Sequence, residues 1–139
     1  MVNQMGIEEL EHTADVRIRI RAESHEELFT LASSALFSIL YTGDCRIERE
    51  RELKVSGDNI EDLLWDFLSE LLYISEVESF VVCETSVCFI GNDLYATIRG
   101  ETFHPERHGG GREVKGISYS DLFIREMDSM ICSEIIFDI

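Results

Sequence analysis

The sequence predicts an α+β fold: two amphipathic helices packed on antiparallel β-sheet, in a single domain covering residues 1–139. Three observations lead there. A strictly alternating segment runs into a helix-period segment, and that strand–helix order occurs a second time. After Glu78 the chain turns to short strand-like runs separated by turn residues. A chain of 139 residues is also long enough to bury a core without staples.

The elements follow in order. In "DVRIRIRAES", Val16, Ile18 and Ile20 alternate with Arg17, Arg19 and Arg21, the pattern of a strand buried on one face. "SHEE" then supplies a capping box, Ser24 with Glu27. The helix it opens carries the stripe Leu28, Leu31, Ala32, Ala35, Leu36, Ile39 and Leu40, with Gly43 just past its end. "CRIERERELKVSG" mixes weak alternation with charges of both signs, which suits an edge strand. "SGDNIEDLLWDFLSELLYISEVE" is the second helix, with Asp58 expected as N-cap and Glu61 three residues on. Its buried stripe is Ile60, Leu63, Leu64, Phe67, Leu68, Leu71 and Leu72. "FVVCETSVCFI" and "LYATIRGETF" flank a turn at Gly91-Asn92-Asp93 and read as a hairpin. "HPERHGGGRE", with the only proline and three consecutive glycines, reads as a mobile loop. "EVKGIS", "DLFIREM" and "SEIIFDI" close the chain as three short strands.

Charge narrows the function. Twenty-eight acidic against 12 basic residues give a net charge of −16, so tight direct binding of nucleic acid is not expected. Metal cations or a basic protein surface are better partners for such a chain, although solubility alone also accounts for the sign. No apolar run reaches the length of a membrane span, and the N-terminus lacks the form of a signal peptide, so the cytoplasm is expected. Cys45, Cys83, Cys88 and Cys132 include no CxxC pair, and free thiols are the expectation. Neither a phosphate loop nor a GxSxG nucleophile elbow occurs.

Three clusters could carry chemistry. "EIIFDI" stays apolar to its end and sets the Asp138 carboxylate beside the terminal carboxylate of Ile139. Two such groups repel unless a cation or donor neutralises them, and hard cations favour oxygen ligands of this kind. A hydrated terminus fits the same residues. "EHTADV" places His12 and Asp15 just before the patterned strand; a turn cap and a surface imidazole are the plain alternative. Asp62, Asp66 and Glu70, spaced by four, line one face of the second helix, either for a basic partner or simply for water.

Taken in order, "LEHTADV", "EELF", "DLLWDFLSELLY", "GETFHPERH…EVKGISYSDL" and the final "FDI" resemble the archease family across nearly the whole chain. The resemblance implies a non-catalytic partner of the RtcB-type RNA ligase of tRNA splicing, promoting guanylylation of the ligase and its multiple turnover. It further implies a divalent-metal site made by Asp15, Asp138 and the carboxylate of Ile139, with His12 beside it. The ion implied is Ca²⁺, with Mg²⁺ or Mn²⁺ as alternatives. Lys115, His108 and Glu101 lie in motifs that the resemblance ties to ligase activation. This chain departs from the family pattern at Gly116 and Ser120, where alanine and histidine often stand, and at His104, where an acidic residue precedes "PERH". Two rival readings are a chaperone-like or specificity-modulating partner of an RNA-modifying enzyme, and a small hydrolase using Asp15, Asp138 and His12. Against the hydrolase, the sequence offers no further pocket chemistry.

Overall fold

A computed structural model describes residues 6–9 and 15–139. The elements are β1 (Gly6–Glu9), β2 (Asp15–Ala22), α1 (His25–Leu40), β3 (Arg49–Ser56), α2 (Ile60–Val77), β4 (Phe80–Ile90), β5 (Asp93–Thr102), α3 (Pro105–His108), β6 (Gly116–Ile117), β7 (Phe123–Met127) and β8 (Met130–Asp138). The α+β class holds, but the sheet is two sheets. One has five strands in the order β1-β2-β8-β6, with β7 also on β8; the other is β3-β5-β4, and every pairing is antiparallel.

β8 organises the larger sheet. One edge pairs with β2 along its length, while the other is shared by β7 near Met130–Glu134 and β6 at Phe137 and Asp138. The alternation in β2 is realised: Val16, Ile18, Ile20 and Ala22 are buried, and the arginines between them face away. α1 touches β2 and β8 on one side and β4 on the other, while α2 meets β3 and β4 as well as β6 and β7. The helices thus lie between the sheets, which is why their apolar stripes are wide. Phe29 of α1 ties the layers together, 5.8 Å from the Phe67 ring of α2 and 5.0 Å, edge to face, from Phe89 of β4. Such ring pairs add about 0.5–1.5 kcal/mol beyond the area they bury.

The Ser24 half of the capping box forms, and the Glu27 side chain reaches back one residue further, past the cap. Ser24 Oγ accepts the Glu27 N–H at 3.1 Å, and Glu27 Oε1 accepts the Glu23 N–H at 2.8 Å. The second cap differs from expectation: Asn59, not Asp58, holds the extended N-cap conformation, and its side chain accepts the Asp62 N–H at 2.8 Å. Both residue types can cap, and the helix begins one residue later than the charge pattern suggested.

Two further corrections concern loops. "HPERHGGGRE" contains the helical turn α3 and is tied to the end of α1. There the Thr42 N–H donates to His108 O at 3.1 Å, and the Arg112 N–H donates to Ile39 O at 2.7 Å. Glycine serves close approach here: a Cβ on Gly111 would stand 2.1 Å from Leu40 O. The cysteines are also not all free. Cys45, in the connection before β3, is disulfide-bonded to Cys83, at the register shift of β4, with Cα atoms 5.6 Å apart. Only Cys88 and Cys132 remain as thiols. Spacing along the sequence misses this pair because its members come from different elements.

Candidate functional site

The end of the larger sheet brings the expected carboxylates together. Asp15 opens β2 and Asp138 ends β8, and they are direct cross-strand partners. Directly opposed residues of an antiparallel pair share a face, with Cβ atoms about 4.5–5.5 Å apart. Gly116 of β6 is the partner of Asp138 on the other side, so no side chain crowds that flank. The Lys115 N–H donates to Asp138 O at 2.7 Å, and the Ser118 N–H donates to Ile136 O at 2.9 Å, extending the β6–β8 contact in both directions. Ile139 packs its side chain partly into the core, which holds its backbone beside Asp138.

Neither Asp15 nor Asp138 has an ion-pair partner among the described residues. Like charges directly opposite one another destabilise a strand pair, so a cation is the natural complement of this arrangement. The donor set suits a hard divalent ion: two side-chain carboxylates plus the carboxylate that follows Asp138. Among the described residues no group of three or more His, Cys, Asp or Glu side chains could hold a metal ion. His12 lies outside the described residues.

Lys115 is exposed, between the buried side chains of Val114 and Ile117. Glu101 and His108 are placed differently. Glu101 is fully buried, and His108 is 1% exposed. The Glu101 carboxylate takes both Arg107 guanidinium nitrogens, the Arg46 N–H at 2.7 Å and His108 Nε2 at 3.0 Å. The His104 N–H donates to His108 Nδ1 at 2.9 Å, so that nitrogen carries no proton and Nε2–H donates to Glu101. The Arg107 hydrogen bond, reinforced by those of Arg46 and His108, outweighs burial and holds the Glu101 pKa down at about 2. This cluster staples α3 to β5 and to the loop before β3, and so fixes the start of the segment that ends at Lys115.

A second feature lies on α2. Trp65 Nε1–H donates to Ile117 O at 2.8 Å, and Tyr119 OH donates to Asp62 Oδ1 at 2.6 Å, with the two rings edge to face. That hydrogen bond raises the Tyr119 pKa, and burial followed by the charge of Asp62 raises that of Asp66. The acidic face of α2 therefore grips the residues after β6. Sequence reasoning identified Glu101 and His108 but missed Arg107, their charge partner, and missed Trp65 and Tyr119. "PERH" carried the only available hint, an arginine beside the histidine.

Comparison with known proteins identifies the family. Residues 7–139 match the Archease protein family (MTH1598/TM1083). The archease of Pyrococcus abyssi is 37% identical over 126 residues, 86% of this chain and 88% of that protein. An archease-like protein of Drosophila melanogaster is 33% identical over 129 residues, 89% of this chain and 83% of its own. Among solved structures, Methanobacterium thermoautotrophicum protein 1598 superposes with a TM-score of 0.83 at 27% identity, covering 96% of this chain and 99% of that one.

Proposed function

The chain belongs to the archease family, and from that premise we propose that it is a non-catalytic activator of an RtcB-type RNA ligase in tRNA splicing. On this reading it promotes guanylylation of the ligase and its multiple turnover, and works in the cytoplasm. Among the described residues no helix is long and apolar enough to cross a membrane.

The observation that carries the reading is the pairing at the end of β8, which opposes Asp15 of β2 to Asp138 on one edge and takes the Lys115 N–H onto Asp138 O on the other. Asp15, Asp138 and the terminal carboxylate of Ile139 would hold a divalent cation, Ca²⁺ before Mg²⁺ or Mn²⁺. When bound, that ion would neutralise the carboxylates and offer positive charge to phosphate oxygens. The rest falls to the chain's own residues. Lys115 presents a second, mobile cation next to the same sheet end, suited to a nucleotide phosphate in the ligase pocket. Glu101 and His108, being buried, position the segment leading to Lys115 and do not touch a partner. The acidic face of Asp62, Asp66 and Glu70 suits a ligase that presents a basic, RNA-binding surface.

A multiple-turnover ligation assay at limiting ligase tests this. Added protein should raise product well beyond one equivalent of ligase, and Lys115→Ala should lose much of that gain while keeping the wild-type melting temperature. Lys115→Arg should restore it only in part, because a planar fork replaces a point charge. No stimulation by the wild-type chain would end the proposal.

A further inference from the structure

Charge in this protein is segregated. Residues 58–78 contribute seven carboxylates and no basic residue, and α2 lies on the inner side of the five-stranded sheet. The outer face of that sheet is different. Cross-strand partners lay it out in rows: Gly6, Arg21, Cys132 and Arg125 in one; Glu8, Arg19, Glu134 and Phe123 in the next; then Arg17 with Ile136. Among the described side chains of these rows, four guanidiniums stand beside two carboxylates, in a chain whose net charge is −16.

The rows form a groove of about 300 Å³, with Arg19 and Arg21 on one wall, Phe123 and Arg125 on the other, and Cys132 and Glu134 on its floor. Arg125 stacks 4.2 Å from the centre of the Phe123 ring, making a flat cationic platform. Arg19 lies between two carboxylates, 3.1 Å from Glu134 and 3.9 Å from Glu8, whereas Arg17, in the row beside the groove, is exposed and has no ion-pair partner among the described residues. Alternate residues of a strand lie about 6.8 Å apart, so Arg17, Arg19 and Arg21 make a regularly spaced line of positive charge. At physiological ionic strength fields are screened beyond about 8 Å, so this local patch, and not the net charge, is what a ligand meets at contact.

We propose that this groove and the arginine row beside it bind single-stranded nucleic acid, with phosphates on Arg17 and Arg125 and a base on the Phe123 platform. Guanidiniums alone would accept an acidic peptide as well. The ring beside them favours a ligand that brings a flat face to every phosphate. The inference stands on the sheet face and does not depend on the ligase reading, because its test uses this protein alone.

Fluorescence anisotropy of a short labelled oligouridylate, titrated with the protein between about 50 and 200 mM salt, reads the binding directly. The expected dissociation constant is about 10⁻⁴ M, with a log–log salt slope of about −1.4 for two phosphate contacts. Arg17→Ala should reduce the slope by about 0.7, while Arg17→Lys, which keeps the charge, should leave it. Phe123→Ala should weaken binding by about fivefold or more. Arg17 is exposed, and matching melting curves would establish that its variants are folded. Absence of binding at the lower salt, a slope unaffected by Arg17→Ala, or displacement by polyglutamate together with indifference to Phe123→Ala would each overturn the proposal. The last result would assign the face to an acidic protein partner.

Discussion

Gly111 and Gly116 lie five residues apart in one segment, yet replacing each by alanine should have opposite consequences. At Gly111 an added Cβ would stand 2.1 Å from Leu40 O, 2.4 Å from Leu40 C and 2.7 Å from Tyr41 N, all backbone atoms at the end of α1. Since ordinary contact begins at 3.4 Å, either the loop or the helix end must retreat by about 1.3 Å, the difference between the two distances. Overpacking of this kind costs about 1–3 kcal/mol, and the retreat also breaks the Arg112 N–H to Ile39 O bond, worth about 1 kcal/mol. The sum of about 2–4 kcal/mol corresponds to a melting temperature lower by roughly 10 °C for a domain of this size. A Cβ added to Gly116 would meet nothing within 4 Å. Alanine there should be neutral or stabilising by about 0.4–1 kcal/mol, through a less flexible unfolded chain. Thermal unfolding followed by circular dichroism would compare the two. A Gly111→Ala protein melting within about 2 °C of wild type would refute the packing argument.

Other consequences can be checked with simple measurements. Cys45–Cys83 closes 38 residues of sequence, so loop-closure entropy gives about 4 kcal/mol; urea unfolding with and without reductant should differ by roughly that amount. Glu101 has its folded pKa lowered from 4.5 to about 2, so its contribution is present above about pH 4.5 and is lost as pH falls towards 2. Acid unfolding should therefore lose that contribution over this window, and Glu101→Gln should remove this part of the pH dependence. If the proposed RtcB-type ligase is the partner, reversing Asp62, Asp66 and Glu70 to lysine should slow association with it, and the difference should shrink as salt rises; stopped-flow mixing would report it.

Periodicity made much of this fold legible. Val16, Ile18 and Ile20 identified the buried face of β2, and the stripes of both helices point where the sequence placed them. Asp15 and Asp138 each stood out in the sequence, but their joining in one site came from motif resemblance, since neither charge spacing nor composition says that residue 15 pairs with residue 138. That fact is a register between strands separated by most of the chain, and local patterns do not encode it. The same limit hid Arg107 from Glu101, and Cys45 from Cys83. Three consecutive glycines suggested mobility, when Gly111 is instead small because a helix end passes against it. β1, only four residues long, has too short a pattern to announce itself.

The proposed metal site is tested most directly by titrating Ca²⁺ into the protein in a calorimeter, beside Asp15→Asn. The wild-type chain should bind one ion, and saturation at about 100 times the dissociation constant should stabilise it by about 2.7 kcal/mol. Asp15→Asn should show no binding in that range, while its metal-free form should be at least as stable as wild type, because two opposed carboxylates no longer repel. Equal Ca²⁺ affinity in both proteins, or no binding by the wild-type chain, would contradict the assignment of Asp15, Asp138 and Ile139 as the ligands.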